Sequence, residues 1–312
     1  MTVPGTVAGL MARSSSALVS TAEGTHRGSY GALDWILLAT AGGIWGSSFF
    51  FIAEALEAFP PMLITWLRVT LGFLTLSCVP AAHAPIERGD LPRVRLLSVV
   101  WMAFPLSMFP LAEQRVSSSV TGMLNGATPI FVALVATILL RRLPGPRQLT
   151  GLAVGTVGIV LIGLPSISDS ASSAVGVVLI LCALACYGLS LNVVVPLQQH
   201  YGALAVFRRV AGLAALILTP FGLLALPDAE WSWTAAGSTL ALGVLGSAVA
   251  YIAAGTLAGR VGSTRASTTT YLIPVVALFL GVSIRGESVV ALAVLGCLVV
   301  LSGAFLVTRA DR

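Results

Sequence analysis

Arg68 stands inside an apolar run, about two turns past Pro61. A guanidinium at the centre of a bilayer costs at least a few kcal/mol on insertion scales, so it must face a bundle interior or snorkel to an interface. Its planar fork suits a carboxylate. Three roles follow: an anchor for a substrate carboxylate, one member of a gating ion pair, or a structural pair, with Glu54 as the partner across the hairpin. Arg208 and Arg209 lie nearer the end of a span, where snorkelling is easy.

Pro129 and Pro274 each interrupt a long hydrophobic run. A proline removes a backbone donor and frees a carbonyl, which at membrane depth must be buried in protein or line a wet cavity. Around them stand Asn125 and Thr128 on one side, and Thr268, Thr269, Thr270 and Tyr271 on the other. These groups can bind a small solute or hydrogen-bond between helices. Trp45, Ser48, Tyr187, Asn192 and Tyr251 could form the aromatic and polar wall of the same cavity, or pack and anchor helices. Gly42, Gly46, Gly151 and Gly155 have the small-xxx-small spacing of close helix approach.

Carboxylates are scarce. Glu54, Glu113 and Glu287 fall near span ends and none at the midplane, where a proton relay normally needs one. A proton as coupling ion and facilitated diffusion both stay open. His26, His83 and His200 sit in the tail, loops or span ends, with no zinc helix motif, nucleophile elbow or paired midplane carboxylates. No enzyme activity, metal or cofactor is expected. Cys78, Cys182, Cys186 and Cys297 all lie in apolar runs without metal spacing.

The elements that must position these groups follow from composition. Hydrophobic residues make up 57% of the chain and charged residues 9%, with a mean hydropathy of +0.97. Soluble domains carry roughly 25% charge, so the solvent here is lipid. Apolar runs of about 20 residues without strict alternation are helices, not barrel strands. The spacing predicts ten spans, at roughly 34–55, 61–82, 95–113, 118–140, 147–165, 174–197, 203–226, 234–258, 264–284 and 288–308, after a tail of residues 1–30. The fold class is therefore an all-α integral membrane protein.

The formal charge of +5 reflects orientation, not nucleic-acid binding; every basic side chain apart from histidine is Arg, a habit of genome composition. With the amino terminus inside, cytoplasmic flanks hold Arg13, Arg27, Arg88, Arg93, Arg95, Arg141, Arg142, Arg147, Arg260, Arg265, Arg309 and Arg312. External flanks hold only Arg115 and Arg285. Both termini are expected in the cytoplasm, and the protein in the plasma (inner) membrane of a bacterium.

Two stretches of the chain coincide at an offset of 145 residues. Arg115 meets Arg260, Val116 meets Val261, Ser118 meets Ser263, Pro129 meets Pro274, Gly151 meets Gly296 and Gly158 meets Gly303. More faintly, Trp45-Gly46-Ser47-Ser48 matches Tyr187-Gly188-Leu189-Ser190, and Arg68 matches Arg209. Ten spans divide into residues 34–165 and 174–308. Five is odd, so the second copy threads the bilayer upside down. Inverted repeats with matched broken helices point to a transport site where the halves meet.

In these residues the chain resembles the ten-helix EamA-type branch of the drug/metabolite transporter superfamily. The likeness is carried by Ile44-Trp45-Gly46-Ser47-Ser48-Phe49, Trp66-Leu67-Arg68-Val69, Ala266-Ser267 through Tyr271-Leu272-Ile273-Pro274-Val275-Val276, Gly286-Glu287 and Leu295-Gly296-Cys297. It runs over about residues 34–308. One departure stands out: Arg141-Arg142 occupy the place equivalent to Gly286-Glu287. The resemblance implies two EamA repeats and export or exchange of a small metabolite, such as an amino acid, by alternating access. The competing expectation is a membrane component that transports nothing, such as a sensor or accessory subunit. Partners are the bilayer and a small-molecule substrate.

Overall fold

Lipid offers no hydrogen bonds, so each apolar run must close its own backbone. The computed structural model describes residues 30–140, 145–261 and 266–308, and among them there is no strand. The expected tail, except Tyr30, lies outside the described residues. So do Arg13, Arg27, Arg141, Arg142, Arg265, Arg309 and Arg312 of the orientation argument, and Ser263 of the repeat.

In chain order the helices are α1 (Ala32–Leu56), α2 (Pro61–Ser77), α3 (Leu91–Leu97), α4 (Phe104–Glu113), α5 (Ser118–Asn125), α6 (Thr128–Leu140) and α7 (Pro146–Asp169). They continue with α8 (Ala171–Tyr201), α9 (Ala203–Ala225), α10 (Trp233–Ala241), α11 (Ala250–Val261), α12 (Leu272–Ser283) and α13 (Ala291–Thr308). A π-helical segment, Ser98–Ala103, joins α3 to α4, and another, Leu242–Val249, joins α10 to α11. Each of these pairs runs as one helix. Residues 98–103 and 242–249 overlap at the repeat offset, so both copies are widened at the same place. Wide turns of this kind gather at functional sites.

Among the described residues six helices are long and apolar enough to cross a membrane. The pair α5 and α6, bent by 40°, makes a seventh if counted as one span; α2, Thr268–Ser283 and α13 are apolar but shorter. By length and composition there are thus six or seven candidate crossings among the described residues, against the ten expected. The shortfall has local causes. Helix α2 begins only at Pro61, capped by Pro60, and at ~1.5 Å per residue its 17 residues cover ~25 Å of a hydrocarbon layer ~30 Å thick. The run before α12 is spent in a 3₁₀ turn over Ser267–Tyr271.

The matched prolines do not themselves make the breaks. In the first copy the helix breaks at Gly126-Ala127, and Pro129 sits in the first turn of α6; in the second, Pro274 follows the 3₁₀ turn in the first turn of α12. A first-turn proline forfeits no intrahelical bond. The carbonyl of Asn125, four residues before Pro129, instead accepts the Thr128 hydroxyl at 2.7 Å.

Packing closes the repeat on itself. A Cβ on Gly151 would lie 2.8 Å from the Gly303 carbonyl oxygen, and one on Gly303 2.7 Å from that of Gly151. Likewise a Cβ on Gly158 would meet Gly296 O at 2.8 Å, and one on Gly296 would meet Gly158 O at 2.9 Å. Gly151 is the repeat equivalent of Gly296 and Gly158 of Gly303, so exchanging the copies reproduces the contact. Early residues of α7 oppose late residues of α13, which makes the pair antiparallel about a local two-fold axis. The faint match holds as well: a Cβ on Gly46 would meet Val276 and one on Gly188 would meet Phe131, and Phe131 and Val276 are 145 apart.

The surface is that of a protein solvated by lipid. Ile138, Val157, Val178, Leu216, Phe221 and Phe279 are exposed, while Asp34, Thr65, Arg68, Ser119, Asn125 and Asn192 are buried. The chain is a multi-pass membrane protein.

Candidate functional site

Arg68 lies mid-way along α2 with 6% of its surface exposed. Its Nε donates to the Ser247 hydroxyl at 3.3 Å, in the π-helical segment of the second half. A Cβ on Gly246 would stand 3.4 Å from Nη2 of Arg68 and 3.3 Å from Ser48 Oγ. The missing side chain thus makes the notch that the guanidinium fills. The carbonyl of Gly246 is not left bare, since Trp45 Nε1 donates to it at 3.2 Å. In the mirror arrangement Ser190 Oγ donates to Val100 O at 2.7 Å. In each case the first helix of one half satisfies the widened turn of the other.

These groups border a cavity of about 650 Å³. The structure brings Trp45, Ser48, Arg68, Asn125, Pro129, Tyr187, Asn192 and Tyr251 onto its wall. Tyr251 centres an aromatic cluster, with ring centroids 3.8 Å from Phe207, 5.0 Å from Trp45 and 5.6 Å from Trp101. Asn192 spends its amide on the carbonyls of Val132 (3.0 Å) and Gly188 (2.8 Å), tying α8 to α6. Arg68 is the only ionised side chain among the described lining residues, and no carboxylate is there. The site can hold one anionic group against an apolar, aromatic wall.

Thr268, Tyr271 and Pro274 are not on the wall. The Thr268 hydroxyl lies 3.3 Å from Tyr30 Oη, the Tyr271 ring packs into the bundle core, and Pro274 fills the space beside Gly126. Their neighbours Thr269 and Thr270 line the cavity instead. The turn carrying them is 3₁₀, and its threefold step rotates the faces away from those that a 3.6-residue helix would present. Trp101, Phe207, Phe109 and Gln148 also reach the cavity without having been singled out in the sequence. The 145-residue offset places Trp101 on Gly246, but only the structure shows Gly246 beside Trp45 and Arg68.

The cavity extends to one end of the bundle. Gln148 at the start of α7, Gln198 near the end of α8, Ala203 at the start of α9, Ala258 in α11 and Val307 in α13 line it. At this end Arg260 Nε binds the fully buried Asp34 at 2.6 Å.

Among the described residues the other end contributes nothing to the lining, and it is tied shut. Arg285 pairs with Glu54, with Glu57 at 3.0 Å and, more loosely, with Glu287 at 3.8 Å. Glu54 is therefore the partner of Arg285, not of Arg68. Glu287 caps α5, accepting from Ser118 N (3.1 Å), Ser118 Oγ (2.7 Å), Ser119 N (2.9 Å) and Ser119 Oγ (2.5 Å). Partial burial raises its carboxyl pKa, but the hydroxyls and amides of Ser119 and Ser118 outweigh that and hold it below the ordinary value of 4.5. Arg208, suspected of snorkelling, instead donates to Ser77 Oγ at 3.0 Å.

The model of the EamA-like transporter family matches residues 33–164 and 174–309. An uncharacterized transporter of Archaeoglobus fulgidus is 25% identical over 88% of this chain and 98% of its own. The uncharacterized transporter YoaV of Bacillus subtilis is 25% identical over 85% and 93%. A probable terminal-alkyne amino-acid exporter of Streptantibioticus cattleyicolor is 26% identical over 88% and 93%. A crystal structure of a protein 16% identical superposes with a TM-score of 0.57 over 88% of this chain and 95% of that one, a likeness of fold alone.

Proposed function

The chain belongs to the EamA-like transporter family, and from that premise we propose that it is a secondary transporter that exports or exchanges a small carboxylate-bearing metabolite, an amino acid or a related solute, by alternating access. The observation that carries this reading is the cavity: it lies between the two halves, holds one buried guanidinium and, among the described residues, reaches one end of the bundle and not the other. In this reading Arg68 binds the solute carboxylate, Ser48 and Asn125 orient it, and Trp45, Trp101, Tyr187 and Tyr251 enclose its apolar part. The amino-acid exporter among the relatives favours the same substrate class.

The architecture we infer is ten spans in two inverted sets of five, counting the bent pair as one and the three shorter apolar helices as crossings. The self-reproducing α7–α13 contact supports it, because a two-fold axis perpendicular to antiparallel helices lies in the membrane plane. Arginine placement supports cytoplasmic termini. The Gln148 and Gln198 end is then cytoplasmic, the Arg285 end external, and this conformation faces inward. Solute binding shifts the equilibrium toward the outward-facing state only by its differential affinity for the two.

Reconstitution into liposomes with labelled amino acids and related carboxylates tests the proposal. Saturable flux is expected, falling about 10- to 100-fold in Arg68→Ala, in line with the ~1.5–3 kcal/mol typical of hydrogen bonds to charged groups. Flux that Arg68→Ala leaves unaltered would sink the role of Arg68. No flux for any carboxylate would sink the substrate class.

A further inference from the structure

We propose that Glu113 is a proton-binding site that exchanges with external water only when the Arg285 end of the bundle opens, so that ionising Glu113 and opening that end form one equilibrium. Its consequence for flux rests on the transport reading; the site itself does not.

Glu113 is the last residue of α4. Both of its carboxyl oxygens are buried, and neither has a hydrogen-bond partner among the described residues. An ionised carboxylate there would forgo its hydration, recovered only by a well-placed cation. Among the described residues no cation is paired with it. Arg285 is already bound to Glu54 and Glu57 and lies 3.8 Å from Glu287. Arg68, on α2, turns its Nε toward Ser247. Arg115, two residues on, gives Nη1 to the Leu111 carbonyl at 2.5 Å.

The other titratable groups facing this corner do not help. Glu287, beside the α5 N-terminus, is itself an acid and is held by Ser118 and Ser119. Helix α1 brings Glu54, which belongs to Arg285, and α8 brings Tyr187, on the cavity side. One guanidinium thus already serves three carboxylates, and a fourth negative charge beside it would stand without a counter-ion. While this end is closed, Glu113 keeps its proton.

Access from the cavity is blocked too. Phe109, one turn before Glu113 and on the cavity wall, packs against Phe49 at 5.5 Å and Tyr187 at 5.9 Å between ring centroids. When the Arg285 cluster parts, water reaches the carboxyl, the proton passes to external water, and the carboxylate left behind can take Arg285 as Glu54 and Glu57 let it go. High external pH then favours the open external end, and low external pH the closed one.

Infrared spectroscopy of the reconstituted full-length protein tests the site without a substrate. A carboxylic-acid carbonyl band is expected at neutral pH, fading as the external pH is raised. It should be missing in Glu113→Gln, which keeps the side-chain shape, and present at a shifted frequency in Glu113→Asp, which keeps the acid. In liposomes, one coupled proton makes the balance of inward- and outward-facing states depend on external pH by up to about tenfold per unit, and Glu113→Gln should flatten that dependence. A band that survives in Glu113→Gln, or a pH dependence of flux unchanged by it, overturns the proposal and leaves the transport reading standing. The band with no flux of any carboxylate would do the reverse.

Discussion

The seam between α7 and α13 and the wall of the cavity are both built by the duplicated sequence, yet they have treated it differently. At the seam Gly151 still matches Gly296 and Gly158 matches Gly303, and each of their contacts has its twin. At the cavity they have diverged. Arg68 meets Ser247, while its counterpart Arg209 has a buried Nε with no partner among the described residues. Trp45 stands where the other copy has Tyr187. Close packing of two related helices about an axis needs the same small residues on both, because each backbone is the other's neighbour. A solute lying on that axis is not itself symmetric, and one cation suffices to hold one carboxylate. Symmetry persists where it positions helices and disappears where it would bind substrate.

If that division holds, damage to the seam and damage to the wall have separate signatures. The largest effect belongs to Gly158→Leu: a Cβ there would lie 2.5 Å from Val300 N and 2.8 Å from Gly296 O, and backbone atoms cannot rotate aside. We expect a loss of about 3 kcal/mol or more, read as thermal unfolding in detergent. An unmoved melting temperature would mean that the two helices are not in contact. Arg68→Ala comes next. It should cut flux as stated above while leaving the melting temperature nearly where it was, and a comparable loss of stability would move Arg68 from binding to scaffolding.

A smaller effect concerns the closed end. Because Glu287 has a depressed pKa in the folded protein, its stabilisation is complete above the ordinary value of 4.5 and is lost as the pH falls through the lower folded value. Melting temperature followed down through that acidic range should drop less steeply in Glu287→Gln than in the parent, and parallel curves would show that the cap contributes nothing. Smallest of all is Thr268→Val. Its hydroxyl faces Tyr30 and not the cavity, so flux should stay within about twofold, equivalent to ~0.5 kcal/mol. A larger fall would return Thr268 to the pathway.

Much of this was legible in one dimension. The 145-residue offset picked out Gly151, Gly158, Gly296 and Gly303 before any helix was placed, because a packing constraint repeated in space leaves a repeat in sequence. Arg68 was conspicuous because a charge in an apolar run is costly. The prolines marked the neighbourhood of the breaks, but the breaks fall at Gly126-Ala127 and before Leu272, since a proline is comfortable in a first turn. Thr268 and Tyr271, expected on the wall, lie off it, because a 3₁₀ step cannot be told from an α-step by composition. The partner of Glu54 is hidden from the sequence for another reason. Arg285 is 231 residues away, and nothing local announces it.

From the sequence alone came the material and the symmetry: helices, because hydrocarbon leaves a backbone no partner but itself, and duplication, because one offset aligns the residues that pack. The tertiary structure alone decided that Trp45 satisfies Gly246, that Ser247 rather than a carboxylate receives Arg68, and that one end of the bundle is sealed while a cavity reaches the other. Those outcomes depend on which distant side chains arrive at the same few ångströms, and periodicity along a chain specifies the face a helix buries without specifying what it is buried against.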